Sequence, residues 1–121
     1  MDEAEDGLRL VREAISSGTT GCVHWKDESL LKRVRADASL QGLEPNAIID
    51  LMTDAVRCGS VRLNQKRETR NYWKDRHDFV YEVLFAVEGL PRDIYVELVL
   101  KDPCDEECPE VVIVSAHLTS F

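Results

Sequence analysis

The chain has 121 residues, of which 44% are hydrophobic and 31% are charged, and its formal net charge is -8. This length predicts a single domain, residues 1–121, large enough to fold around its own core without disulfide or metal staples. The acidic total argues against a protein that coats DNA non-specifically, because such proteins carry a basic charge over the whole domain.

The apolar runs of the chain are short. The longest of them, such as residues 111–114, are far too short to span a bilayer. The chain opens with acidic residues, whereas a secretory signal begins basic and continues apolar. We therefore expect a cytoplasmic protein with no membrane partner.

The first part of the chain has helical spacing. Apolar residues recur at helical intervals over residues 8–15, after an acidic start that we expect to be frayed. The brief β-prone stretch 22–25 predicts a short strand or an extended link. Asp27 is then a good N-cap for a second helix, which we expect from Glu28 to Ala38.

The clearest helix of the chain starts near Pro45. Proline suits a first turn, because its missing N–H has no helical partner there in any case. A broad apolar face follows over residues 48–56, and Gly59 is well placed to end the helix.

After this helix the apolar period changes to two, which is typical of strands. Residues 61–64 alternate, and the polar residues 65–69 predict a loop or bend. Residues 79–88 and 94–101 alternate on either side of a turn and predict a hairpin. Residues 111–118 form a final, mostly apolar strand, which suits a central position in a sheet. Helices followed by antiparallel strands predict an α+β fold.

Residues 60–76 form a basic segment in this acidic chain, with six cations against two anions. The cations are Arg62, Lys66, Arg67, Arg70, Lys74 and Arg76. Tyr72 and Trp73 lie among them, so the segment could neutralise phosphates and stack on bases. The alternative is a charged edge strand, whose cations discourage pairing with other sheets.

The three histidines are the natural candidates for proton transfer near neutral pH. His117 is the most informative, because period two places Ser115, His117 and Thr119 on one face at the end of an apolar strand. The alternative is that His117 satisfies a backbone group at a strand end. His24 and His77 are weaker candidates.

Two of the four cysteines are close in sequence, at Cys104 and Cys108. Together with Cys22 and His24 they could form a zinc site, although this spacing is less specific than that of a zinc knuckle. The alternatives are a solvated acidic loop with incidental thiols, or a redox pair. We expect neither a metal nor a cofactor.

The order of these features resembles the MqsR-type toxins of bacterial toxin–antitoxin pairs, which belong to the wider RelE-like ribonuclease group. The residues that carry the resemblance are Leu8 to Gly18, Ala36–Asp37 with Gly42–Leu43, Asn46 to Leu51, Trp73–Lys74–Asp75, and Ile113–Val114–Ser115. A related group of small bacterial domains has a histidine on its first strand, at the position of His24. Unlike these toxins, which are usually basic, this chain is acidic.

The resemblance implies N-terminal helices packed on a curved antiparallel sheet, as in RelE-like proteins. It also implies metal-independent RNA cleavage with the 2′-hydroxyl as nucleophile, and RNA and an antitoxin protein as partners. The implied catalytic residues are His117, Arg70, Tyr81 and His24. The implied RNA-binding residues are Arg62, Lys66, Arg67, Tyr72 and Lys74. The alternative is a non-catalytic protein-interaction module of the same fold.

Overall fold

A computed structural model of the chain describes residues 3–17, 22–67, 79–101 and 107–119. The helices in these ranges are α1 (Glu3–Ser16), α2 (Glu28–Ala36), a short 3-10 turn (Ala38–Leu40) and α3 (Pro45–Cys58). The strands are β1 (Val23–Trp25), β2 (Val61–Arg67), β3 (Phe79–Phe85), β4 (Ile94–Leu100) and β5 (Val111–Leu118). The described residues therefore confirm the α+β class.

Side chains of aspartate set both ends of α2. The Asp27 carboxylate accepts the backbone N–H of Leu30 at 2.9 Å, which confirms the predicted N-cap. The helix ends at Ala36, two residues earlier than expected, because Asp37 starts the 3-10 turn. The Asp37 carboxylate accepts the N–H of Ser39 at 3.0 Å and so competes with a continued helix.

The bounds of α3 also follow the sequence. Pro45 is its first residue, and Gly59 ends it in the left-handed region with φ 73°. The prediction for α1 was wrong at its start, since the helix begins at Glu3 and includes most of the acidic stretch.

The five described strands form one sheet in the order β1-β5-β4-β3-β2. The neighbours from β5 to β2 are antiparallel, but β1 lies parallel to β5, so the sheet is mixed and not antiparallel throughout. The N–H of Val111 donates to the Cys22 carbonyl at 2.8 Å, and the N–H of Lys26 to the Ile113 carbonyl at 3.0 Å. β5 thus has a neighbour on each side, as its apolar sequence predicted.

The loop predicted at residues 65–69 was wrong for its first half, because β2 continues to Arg67. The polar side chains of this half find partners on β3. Gln65 Nε2 lies 3.0 Å from the Tyr81 hydroxyl, and Lys66 Nζ lies 3.1 Å from Glu82 Oε2. A polar strand is stable here because its side chains pair across the ladder.

The described helices contribute to one core on one face of the sheet. Residues of all three helices and of strands β3, β4 and β5 meet there, including Ile15, Val34, Met52, Phe85 and Ile113. We call the opposite side of the sheet the outer face. Alternation along the strands places on it Arg62, Asn64 and Lys66 of β2, Glu82 of β3, Tyr95 and Glu97 of β4, and Ser115 and His117 of β5.

A bulge interrupts the pairing of β4 with β5. Leu98 lies opposite Ile113 and Glu97 lies opposite Ser115, so Val114 is the extra residue. Val114 joins Val80, Val99 and Val112 in a small apolar cluster on the outer face. The extra residue shifts the alternation of β5 by one position. Ser115 and His117 therefore lie on the outer face together with the polar residues of β4.

Candidate functional site on the outer face of the sheet

His117 lies on the outer face of β5, directly opposite Tyr95 of β4. The two rings are stacked, with centroids 5.0 Å apart and planes inclined by 25°. The imidazole is exposed, and its Nδ1 lies 2.7 Å from the Leu118 carbonyl oxygen. Since a carbonyl only accepts, Nδ1 carries a proton, and in the neutral imidazole Nε2 then holds the lone pair. The contact with Leu118 also agrees with the alternative role of satisfying a backbone group.

Tyr95 connects His117 to two carboxylates. Its hydroxyl oxygen lies 2.7 Å from Glu82 Oε2 and 2.7 Å from Glu97 Oε2. Burial, followed by these contacts with Glu82 and Glu97, raises the pKa of Tyr95 far above its ordinary value of 10.0. Tyr95 therefore stays protonated at neutral pH and serves as a hydrogen-bond donor.

Two of the predicted RNA-binding cations, Arg62 and Lys66, lie on the outer face with His117. Arg62 Nη2 lies 3.4 Å from Asp93 Oδ2, and Lys66 Nζ lies 3.1 Å from Glu82 Oε2. Both cationic side chains are well exposed, at 69% and 63%. Ion pairs between exposed side chains are worth about 0–1 kcal/mol, so Arg62 can exchange Asp93 for a phosphate. Glu82 is only 12% exposed, so Lys66 is held more firmly than Arg62.

The position of Arg62 limits what it can contact. It lies in the same cross-strand row as Tyr95 and His117, but two strands, β3 and β4, lie between β2 and β5, so three inter-strand spacings separate Arg62 from His117. At about 4.8 Å between neighbouring strands, the backbones of Arg62 and His117 are roughly 14 Å apart. Arg62 and Lys66 therefore fit phosphates that flank a reacting one, and not the reacting phosphate itself.

Two other predicted residues do not join this group. Tyr81 is 1% exposed and packs in the core on the helix side of the sheet, where its hydroxyl meets Gln65. Arg67 lies on the helix side of β2 by strand alternation, with its guanidinium carbon 5.5 Å from the centre of the Phe79 ring. The structure thus separates Tyr81 and Arg67 from His117 by the thickness of the sheet.

His24 shares the outer face but lies at its far end, on the edge strand β1 opposite Val112. Its Nε2 lies 2.7 Å from Glu110 Oε1, and Lys101 Nζ lies 3.3 Å from Glu110 Oε2. The hydrogen bond with His24 lowers the pKa of Glu110, and Lys101 acts in the same direction. His117 is five positions after Val112 on β5, which is roughly 16 Å along a strand. His24 and His117 therefore do not act on one phosphate.

The remaining predicted site residues Arg70, Tyr72, Lys74 and Cys104 lie outside the described residues. In the described part of the chain, no group of three or more His, Cys, Asp or Glu side chains is arranged to hold a metal ion. The described members of the alternative zinc set, Cys22, His24 and Cys108, thus do not form a site among themselves.

Sequence reasoning missed the cluster of Glu82, Tyr95 and Glu97. A signal for it was present in the sequence. In the alternating patterns of the two strands, all three residues fall on the positions that face away from the apolar side. Only the hairpin register, with Glu82 opposite Glu97 and Leu84 opposite Tyr95, shows that they converge.

Comparisons of the chain with protein-family models, with curated proteins and with solved structures found no match. Among the helices that the structure describes, none combines the length and the apolar character needed to cross a membrane. The function is therefore inferred from the residues of the outer face.

Proposed function

We propose that this protein binds RNA on the outer face of its sheet and cleaves it without a metal, in the manner of the RelE-like, MqsR-type toxins that its sequence resembles. The observation that carries the proposal is the exposed imidazole of His117, whose Nδ1 faces the Leu118 carbonyl and whose Nε2 is thereby the acceptor nitrogen. An imidazole in this state is suited to act as a general base.

The reaction follows from that assignment. Nε2 of His117 takes the proton of a ribose 2′-hydroxyl, and the 2′-oxygen forms a bond to the adjacent phosphorus. The bond from phosphorus to the 5′-oxygen of the next nucleotide breaks, and that oxygen takes a proton from solvent water. The hydroxide that remains takes the proton from Nε2 of His117, which restores the base. The products are a 2′,3′-cyclic phosphate and a 5′-hydroxyl, and no metal is needed to balance the step.

The outer face supports RNA as the substrate in a second way. Arg62 and Lys66 are both exposed, and the ion pair of Arg62 with Asp93 is a weak surface pair, so these cations can bind phosphates that flank the cleaved bond. Because a single strand of RNA binds in an extended form, cations roughly 14 Å or more from the reacting group still add to its affinity. From the same resemblance to MqsR-type toxins, we propose an antitoxin protein as a partner and a RelE-like arrangement of the helices and the sheet.

A cleavage assay with end-labelled single-stranded RNA, in the presence of EDTA, tests the proposal. We expect His117→Ala to lower the cleavage rate by about 10²–10⁴-fold, the usual contribution of a general base. His24→Ala is the matched control, because it removes a histidine from the same face but at the other end of β5, and its rate should stay near that of the wild type. Equal rates for the wild type and His117→Ala would reject the catalytic role.

Binding is tested separately from cleavage. The slope of log affinity against log salt reports the number of phosphate contacts, at about 0.7 per contact for a single strand. We expect Arg62→Ala and Lys66→Ala each to lower this slope by about that amount, whereas Lys32→Ala on the exposed side of α2 leaves it unchanged. If none of these substitutions altered the slope of log affinity against log salt, RNA would not bind on the outer face at Arg62 and Lys66.

A second candidate function is a non-catalytic protein-interaction module. The observation that favours it is the position of β2, which is the last strand in the order of the described sheet and is seven residues long. An extended peptide can add to such an edge through main-chain hydrogen bonds. Slower hydrogen exchange at the amides of Val61–Arg67 when a protein partner binds, in a protein that does not cleave RNA, would favour this function over the first.

A further inference from the structure

β2 is an edge strand of the sheet that the structure describes. Among the described strands it pairs only with β3, over all seven residues from Val61 to Arg67. In an antiparallel pair, alternate residues turn their N–H and C=O groups towards the partner strand, and the others turn theirs away, so about half of these groups on β2 point away from β3. An added strand could bind them there.

The two faces of this edge differ in chemistry. On the outer face, the side chains of Arg62 and Lys66 are 69% and 63% exposed, and Asn64 lies between them. On the helix side, Val61 and Leu63 are half-buried and pack against the core. A strand that added to β2 would therefore meet cations on one face and apolar side chains on the other.

Both cations on the outer face can bind a further carboxylate. Arg62 Nη2 lies 3.4 Å from Asp93 Oδ2, and Lys66 Nζ lies 3.1 Å from Glu82 Oε2. These two carboxylates belong to β3 and to the residue before β4, so they approach from the interior of the sheet. An ammonium has three N–H donors and a guanidinium has five, so each cation can also bind a carboxylate on the side away from β3.

The same cations argue against a second copy of this chain at the edge. Two copies related by a two-fold axis would pair their β2 strands antiparallel. Pairing centred on Asn64 would use all seven residues, and it would place Arg62 of each copy opposite Lys66 of the other. Like charges directly opposite each other destabilise a pair of strands. The edge therefore selects against itself and favours a strand of opposite charge.

We infer that β2 binds an extended acidic segment of another protein by strand addition, with carboxylates four residues apart opposite Arg62 and Lys66. Its alternate residues, which face Val61 and Leu63, are apolar. β2 contains three cations and no anion, so an acidic strand meets cations first at this edge, whereas the net charge of -8 repels such a strand from the chain as a whole. The inference rests on the second candidate function for the use of the edge and adds the chemistry of the partner.

An acidic strand on β2 would also compete with RNA, and this part of the inference rests on the proposed RNA binding. Arg62 and Lys66 are the cations proposed to bind the flanking phosphates, and the carboxylates of an added strand would use the same N–H donors. His117 lies three strand spacings from β2, roughly 14 Å away. The partner would thus weaken RNA binding without contacting the proposed general base.

The test uses synthetic peptides and no RNA. The acidic peptide is acetyl-Thr-Glu-Val-Ser-Val-Glu-Thr-amide, whose palindromic order places its glutamates opposite Arg62 and Lys66 in either strand direction. One control peptide has lysine in place of both glutamates. The other control is the acidic peptide N-methylated at its three central residues, which cannot pair as a strand. We expect the wild type to bind the acidic peptide with a Kd about tenfold lower than that of either control, measured by calorimetry at low salt. Hydrogen exchange should slow at the amides of Val61–Arg67.

Charge reversal of the edge should reverse the preference. The double variant Arg62→Glu with Lys66→Glu should bind the lysine peptide about tenfold more tightly than the acidic one. The matched control, Lys32→Glu with Arg33→Glu, reverses two exposed cations on α2 and changes the net charge equally, so it should keep the wild-type preference. If the edge variant does not fold, the three peptides with the wild type decide by themselves.

Each contrary result has its own meaning. Equal affinity for the acidic and lysine peptides, with slower exchange at Val61–Arg67, would keep the edge as a binding site and overturn the acidic partner. No binding of the acidic peptide, or equal binding of its N-methylated form, would overturn strand addition. A dimer of the protein alone with slow exchange at β2 would place a second copy there and overturn the inference.

The proposed ribonuclease fails or stands separately. Selective binding of the acidic peptide by a protein that does not cleave RNA would keep the inference about β2 and reject the cleavage. Cleavage that depends on His117, in a protein that does not bind the acidic peptide, would do the reverse.

Discussion

The contact between Gly7 and Tyr81 gives the sharpest test of the packing between α1 and the sheet. Gly7 lies within α1, where glycine is unfavourable by about 1 kcal/mol relative to alanine. A Cβ atom at this position would overlap the Tyr81 hydroxyl oxygen and would lie 3.1 Å from Gln65 Nε2 and 3.3 Å from Tyr81 Cζ. Tyr81 is 1% exposed and cannot swing aside. Glycine is therefore present because the helix passes directly over this hydroxyl.

The magnitude follows from two opposing effects. Overpacking costs about 1–3 kcal/mol, and direct overlap with a buried atom belongs at the upper end of that range. Subtracting the gain in helix propensity, Gly7→Ala should lower the free energy of unfolding by about 2 kcal/mol, which for a domain of this size is on the order of 8 °C in Tm. Tyr81→Phe alone should cost about 1 kcal/mol through its lost hydrogen bond with Gln65.

The double variant decides the cause. Tyr81→Phe removes the oxygen that the new methyl group would overlap, so Gly7→Ala in that background should be nearly neutral. The coupling free energy between the two substitutions should then be about 2 kcal/mol, measured by urea unfolding of all four proteins. If Gly7→Ala cost the same in both backgrounds, or stabilised the wild type, the helix would not lie against the Tyr81 hydroxyl and this account of α1 packing would be refuted.

Three further predictions concern single positions. Thr53→Val should raise the free energy of unfolding, measured in urea, by ~1 kcal/mol, because Thr53 Oγ1 is buried without a hydrogen-bond partner among the described residues. An unchanged or lowered free energy of unfolding would show that the hydroxyl does have a hydrogen-bond partner. Gly59→Ala should lower the free energy of unfolding by about 1–2 kcal/mol, because φ is 73° there. Among the described residues no neighbouring atom lies within 4 Å of the new Cβ, so the cost is that of the backbone alone. An unchanged free energy of unfolding would contradict the left-handed cap. The backbone N–H of Leu30 lowers the pKa of Asp27 below 3.8, so the stability that Asp27 adds over Asp27→Ala should be full above about pH 4 and should decline as the pH falls through the lowered pKa. Thermal unfolding of both proteins from pH 2 to 7 measures this, and a difference that grows towards low pH would contradict it.

Several helix ends were predictable from the sequence, because each depends on a few neighbouring residues. They are the N-cap of α2 at Asp27, the start of α3 at Pro45 and its end at Gly59. The same holds for the hairpin of β3 and β4 and for the shared face of Ser115 and His117. Period two fixes which residues of a strand share a face, whatever the strand pairs with. These features involve short stretches whose local chemistry does not require the rest of the fold.

The extent of β2 could not be predicted in this way. Gln65 and Lys66 look like loop residues by composition, and they are in a strand because Tyr81 and Glu82 on β3 offer partners for their side chains. The parallel pairing of β1 with β5 could not be predicted either, because the sequence of a three-residue strand does not indicate which strand it pairs with. Both depend on contacts between residues far apart in the chain.

The candidate site shows the same division. The sequence by itself determined that His117 lies at the end of an apolar strand and shares a face with Ser115. Tertiary structure alone decided that Tyr81 faces the helices while His117 faces away from them, and that Glu82 and Glu97 meet at one phenol oxygen. The physical reason is that strand parity is local, whereas the relative register of separate strands is set by the core they share and by the bulge at Val114.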